Sequence, residues 1–220
     1  MFSFAIDQEL IEHNPASRLA RPGAEQSRER VLTEDEIRAA WSDFDALERE
    51  MAAYYKLRLA TAQRGKEVAS MTWADVDLES AWWTIPASIA KNKLGHRVPL
   101  SKTAVDIINA LKTENAKSDG YVLSGARGRR QQSEAAADFT VKDFRGHDLR
   151  RTAASLMTGG GVSRLVVSRI LNHVEKGVTA IYDRHSYDAE KQAALAWWDA
   201  KLTAILEKKT ATVLPFMKGA

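Results

Sequence analysis

The sequence predicts an α+β fold that is mainly α-helical, with one small antiparallel β-sheet set into it. Two observations carry this expectation. Apolar residues recur at helical spacing through much of the chain, most plainly from Ala189 to Leu206, where Leu195, Trp198, Leu202, Ile205 and Leu206 fall on one face. Two short β-prone stretches, Ala81–Pro86 and Arg97–Leu100, flank a polar tip, Lys91-Asn92-Lys93-Leu94-Gly95-His96, whose glycine permits a turn. With 220 residues, 45% hydrophobic and 28% charged, the chain is long enough to bury a substantial core and has the composition of an ordinary globular protein.

Taken in order, residues 1–13 read as a short helix, closed by Asn14-Pro15 because the residue before proline is pushed out of the helical region. The polar stretch 17–30, with Pro22-Gly23, reads as a linker. Thr33 and Glu36 form a capping-box pair, so a helix begins there and runs to about Asp45. A second helix covers about Glu48–Ala62, and Lys66–Met71 suggests a third. After the sheet come a helix at Thr103–Leu111, a short strand at Tyr121–Leu123, and a polar loop from Gly125 to Phe139 carrying Arg127, Arg129 and Arg130. The glycines at 159–161 follow a helix and read as its C-terminal cap rather than as a phosphate loop.

Several classes are excluded or disfavoured. There is no cysteine, hence no disulfide, thiolate metal site or cysteine nucleophile. No apolar run approaches the roughly 18–20 residues that span a membrane, and the acidic N-terminal segment does not read as a signal peptide. A cytoplasmic protein is the default expectation. The net charge of +3 and a pI near 9.1 permit an anionic partner without demanding one.

The chemistry-bearing residues concentrate between Gly146 and Tyr187. His147 and Arg150 stand three apart, so on a helix both can reach one ligand. His173 follows, then Tyr182, whose phenol has a pKa near 10 and needs cationic neighbours and a base to act as a nucleophile. No carboxylate accompanies the two histidines at metal-ligand spacing. Upstream, Arg64 closes an apolar helix and Lys91 lies on the hairpin tip, eight residues before Pro99. Taken singly, each of these residues has an ordinary structural explanation.

In the order Arg64, Lys91, His147-x-x-Arg150, His173, Tyr182, the sequence resembles the catalytic domain of tyrosine recombinases, the phage-integrase family. The likeness covers residues 31–187 and is nearest, at Arg169–Tyr182, to integrases of prophages and genomic islands. Two departures are visible: Ala62-Gln63 where the family often has Gly-Leu, and Leu171-Asn172-His173 where it often has Leu-Gly-His.

The resemblance implies a helical DNA breaking-rejoining fold, with residues 1–16 the last helix of an upstream core-binding domain and 17–30 a linker. The region 188–220 would be a helix and tail that could pass to a neighbouring protomer. Tyr182 would be the nucleophile, forming a 3′-phosphotyrosine, with Arg64 and Arg150 clamping the phosphate. His147 would take the phenol proton, His173 would donate to a non-bridging oxygen, and Lys91 would protonate the leaving oxygen. Glu67 would buttress the site. Lys66, Lys93, Arg127, Arg129, Arg130, Lys142 and Arg145 would meet backbone phosphates, which gives affinity and salt dependence rather than sequence choice. No metal and no cofactor is implied. The partners would be attachment-site-like double-stranded DNA, four protomers on that DNA from a monomer when free, and excision or DNA-bending proteins. Two other readings stay open: relaxation of DNA in the manner of type IB topoisomerases, and a non-catalytic DNA-binding integrase remnant.

Overall fold

The computed structural model describes residues 2–17, 19, 29–112, 120–123, 139–173, 185–208 and 216. Helix α1 (Phe2–Asp7) is shorter than its apolar pattern suggests. Glu9 takes a left-handed φ of 56°, and Phe4 and Leu10 remain 65% and 71% exposed. With little of its apolar face buried, nothing offsets the cost of extending so short a helix.

Helix α2 (Glu34–Asp45) starts at the expected capping box. The Thr33 hydroxyl accepts from the Glu36 amide at 3.3 Å, and Glu36 accepts from the Thr33 amide at 2.9 Å. Helix α3 (Arg49–Thr61) buries Tyr54, Tyr55, Leu57, Arg58 and Leu59, positions that go round its whole circumference. A helix buried on every side belongs at the centre. It packs against α2, α4 (Gly65–Ala69), α5 (Lys102–Leu111), α6 (Gly146–Gly159) and α8 (Asp188–Leu206). An aromatic cluster, with Phe44 stacked on Tyr55 at 5.0 Å and Phe139 edge-on to both, fixes the approach to α6.

The sheet is antiparallel, in the order β1 (Val76–Asp77), β2 (Trp82–Ile85), β3 (His96–Pro99). Trp83 pairs with Val98, and Ile85 with His96. The first strand is too short to show alternation, which is why two strands rather than three are legible from the residues. The expected strand at 121–123 is instead a single bridge between Tyr121 and Thr72. Val122 and Leu123 are buried there as plugs rather than as ladder residues.

Helix α6 ends at the glycines as expected, with Gly161 at φ 100°. A Cβ on Gly160 would come within 1.9 Å of the Trp197 ring, so any larger residue there would have to displace that ring on α8. Helix α7 (Arg164–Ile170) is capped by the Ser163 hydroxyl. Helix α8 lies across α2, α3, α5, α6, α7 and β3 of its own domain. Its Trp198 is fully buried and donates to the Leu59 carbonyl at 3.0 Å. Among the described residues, no helix is long and apolar enough to cross a membrane.

Candidate active site

Arg64 and Arg150 come from helices that begin in the same way. At α4, the Glu67 carboxylate accepts from the Arg64 amide at 3.0 Å and from the Arg64 guanidinium at 2.9 Å. At α6, Asp148 accepts from the Arg145 amide at 2.9 Å and from the Arg151 guanidinium at 2.7 Å. Each acid sits one turn in, where it satisfies free amides and complements the helix dipole. Glu67 is buried, so its charge is directed at Arg64 rather than shed into water. Gly65 opens α4 against the buried Tyr54 hydroxyl, which an added Cβ would meet at 2.4 Å.

Arg150 is 3% exposed and reaches across the gap between α3 and α7. It donates to the Ala62 carbonyl at 2.7 Å and to the Leu171 carbonyl at 2.5 Å. The same guanidinium approaches the His173 Nε2 at 3.5 Å. Burial, and then the Arg64 charge, push the Arg150 pKa down to about 9, with Glu67 opposing. It stays cationic at neutral pH, so two guanidiniums are held near each other against their repulsion.

His173 is exposed and has a lowered pKa, from partial desolvation and then from Arg150 and Arg64. His147, exposed on the first turn of α6, is lowered by desolvation and then by Arg150, Arg151 and Arg58, with Asp148 opposing. Both imidazoles are therefore biased towards the neutral form near pH 7, in which one ring nitrogen accepts. Chemically, such an arrangement can receive an anion between the guanidiniums and a proton at either imidazole.

The loop before His173 is held carbonyl by carbonyl. The Ile170 carbonyl accepts from the Gln63 amide at 2.9 Å and pairs with the His96 Nε2 at 3.0 Å. Arg150 takes the Leu171 carbonyl, and Asn92 donates to the Asn172 carbonyl at 3.0 Å. His96 is 8% exposed, and burial, with Lys191 next, pushes its pKa down to about 4. It is neutral at pH 7, so its Nε2 carries the proton that it donates.

On the far side of residues 174–184, Arg97 of β3 bridges to Asp188 at 3.0 Å. Lys191, almost fully buried, donates to the Arg97 carbonyl at 2.9 Å and bridges to Asp188 at 2.7 Å. Trp82 lies under both cations, at 4.2 Å from Arg97 and 5.6 Å from Lys191.

A profile of the phage integrase family matches residues 30–189. The chain belongs to that family. It is 28% identical over 211 residues to the prophage integrase IntS of Escherichia coli, covering 90% of this chain and 54% of that protein. It is 27% identical to the integrase of Shigella phage Sf6, with the same two coverages. To the tyrosine recombinase XerC of Mycobacterium tuberculosis it is 27% identical, over 82% of this chain and 67% of the relative. The chain thus spans about half the length of the first two relatives. Its fold is similar to that of the integrase from mycobacterium phage Brujita, at TM-score 0.57 and 19% identity, covering 93% of this chain and 72% of that one. The Tn1549 transposon integrase in complex with circular intermediate DNA gives TM-score 0.52 and 14% identity, with coverages of 87% and 73%.

Within this integrase fold, the structure brings Arg64, Glu67, Arg150 and His173 together, with His147 one turn along α6. Lys91 is exposed on the β2–β3 hairpin, next to Asn92 and hence beside the His173 loop. Lys66, Lys93, Lys142 and Arg145 are exposed. Tyr182, Arg127, Arg129 and Arg130 lie outside the described residues. Gln63, Asn92, His96 and Asn172 also tie the His173 loop in place and are not among the residues expected at the site. Two of these were in view only as departures from the family pattern. Ala62 and Asn172, where the family often has glycine, adopt left-handed φ values of 56° and 48°. Asparagine tolerates that region better than most residues, so an asparagine replacing a glycine was the available signal.

Proposed function

We propose that this chain is the catalytic part of a site-specific DNA recombinase that cuts and rejoins DNA through a 3′-phosphotyrosine. One observation supports the reading above all: Arg64 and Arg150 converge with His173, and among the described residues Glu67 is the acid that opposes their repulsion of each other. A phosphodiester relieves that repulsion, most of all when negative charge builds on its non-bridging oxygens in the transition state. Forked guanidinium contacts suit such an anion. The family's relatives include a tyrosine recombinase, and one structural neighbour is an integrase in complex with circular intermediate DNA.

In this mechanism the Tyr182 oxygen attacks phosphorus while its proton passes to neutral His147. The bond to the 5′-oxygen breaks, and Lys91 protonates that oxygen as it leaves. His173 donates to a non-bridging oxygen. The phosphotyrosine conserves the phosphodiester energy, so a 5′-hydroxyl from another strand can reverse the step without a nucleotide cofactor. Lys66, Lys93, Lys142 and Arg145, with Arg127, Arg129 and Arg130, contact backbone phosphates. Strand exchange assembles four protomers on two duplexes of attachment-site type, with accessory proteins choosing the direction.

The decisive experiment is incubation of the chain with a nicked suicide substrate. A covalent protein–DNA adduct forms, and Tyr182→Phe abolishes it. DNA binding with no Tyr182-dependent adduct would instead favour the non-catalytic reading, and relaxation of supercoils without paired sites the topoisomerase-like one.

A further inference from the structure

The β2–β3 hairpin is joined to the His173 loop by a reciprocal pair of amides. Asn92 Nδ2 donates to both the backbone carbonyl and the side-chain oxygen of Asn172, each at 3.0 Å. Asn172 Nδ2 donates back to Asn92 Oδ1 and to the Leu94 carbonyl, both at 3.3 Å. Asn92 Oδ1 also accepts from the Leu94 amide at 3.1 Å, which stiffens the tip from within. The Asn92–Asn172 contacts join residues 80 apart in sequence. Asn92 is half-buried and directly follows Lys91; Asn172 is half-buried and directly precedes His173.

We propose that this asparagine clasp positions Lys91: it holds the hairpin tip against the His173 loop so that the lysine ammonium stands over the leaving oxygen. The inference rests on the proposed role of Lys91 as proton donor. It adds that the donor's placement is set by Asn92 and Asn172, which bond to each other and to the hairpin tip. The left-handed backbone at Asn172 gives this content. A glycine would satisfy φ 48° equally well but would leave Asn92 Nδ2 without its side-chain partner and the Leu94 carbonyl without its donor.

The clasp is tested by changing what leaves. In cleavage, the bond from phosphorus to the Tyr182 oxygen forms as the bond to the 5′-oxygen breaks, and that oxygen takes a proton. If a bridging sulfur replaces the 5′-oxygen, the leaving group is a thiolate, whose conjugate acid has a pKa of about 8.5, and it departs without a proton donor. Adduct formation is therefore measured on oxygen and sulfur substrates for the full chain and for Lys91→Ala, Asn92→Ala and Asn172→Gly. On the oxygen substrate the two asparagine variants are expected to slow cleavage by about 10- to 100-fold, within the range of a displaced general acid. On the sulfur substrate the loss falls to less than about threefold. Adding Asn92→Ala to Lys91→Ala costs nothing further, because both act through one proton.

Equal slowing on both substrates would place the effect in the phosphate clamp or the fold and overturn the proposal, as would full activity of both variants on the oxygen substrate. Failure of the sulfur substrate to rescue Lys91→Ala would remove Lys91 as the donor, and the clasp's role with it. Rescue of Lys91→Ala but not of the asparagine variants would leave the donor standing and remove the clasp alone.

Discussion

His96 shows how much a single buried side chain can decide. Its imidazole must stay neutral in the fold, with a pKa of about 4 against an ordinary 6.5. In the unfolded chain it takes up a proton near pH 6.5. Below that pH the unfolded state binds more protons, so stability falls as pH drops from 6.5 towards 4, by about 3 kcal/mol from this group. The lowered values of His147 and His173 act in the same direction. Replacing His96 with Gln keeps an N–H for the Ile170 carbonyl and removes the titration. Urea midpoints at pH 7 and pH 4.5 should lie closer together in His96→Gln than in the parent. Glu67 is the other telling residue: Glu67→Ala removes a buried charge, the helix cap and the partner of Arg64. It should cost about 1–3 kcal/mol in denaturant unfolding and slow adduct formation well beyond what that stability loss explains.

At the scale of elements, close approach rather than propensity sets the geometry. Gly65→Ala drives a methyl into the Tyr54 hydroxyl and should destabilise by about 1–3 kcal/mol, displacing the start of α4 and with it Arg64. Trp198→Ala empties a fully buried site on α8 and leaves the Leu59 carbonyl without its donor. A loss of about 3–5 kcal/mol in chemical unfolding is expected. The long helices, the capping box at Thr33 and the β2–β3 hairpin were legible in the sequence, because each is announced by local period or turn chemistry. Strand β1 was not, being two residues long. The extent of α1 was not either, since its end depends on contacts that its apolar face does not make. Arg64, His147, Arg150 and His173 were legible together through the resemblance to the recombinase family, while singly each had an ordinary structural explanation. The ties from Gln63, His96 and Asn92 to the 170–172 carbonyls were not, because each joins residues 74 to 107 apart in sequence.

For the whole molecule, α8 is structural before it is anything else. It touches the first helix of the described core, the central helix and the sheet. A chain cut after Tyr187 should therefore lose its cooperative thermal transition and not merely a C-terminal appendage. On the proposed function, DNA affinity should also fall steeply with salt, since the exposed Lys66, Lys93, Lys142 and Arg145 would neutralise phosphates without reading bases. A flat binding curve between low and moderate ionic strength would remove that role from them.

The β2–β3 hairpin holds both ends of the stretch that contains Tyr182: Asn92 ties down the side at Asn172, and Arg97 ties down the side at Asp188. The length of that hairpin is consequently not free to drift. A residue added to its tip would move one mooring away from its partner while the other stayed in place. Insertions and deletions at 91–95 should therefore slow adduct formation more than substitutions of the same residues, because the Asn92–Asn172 and Arg97–Asp188 ties could no longer form together.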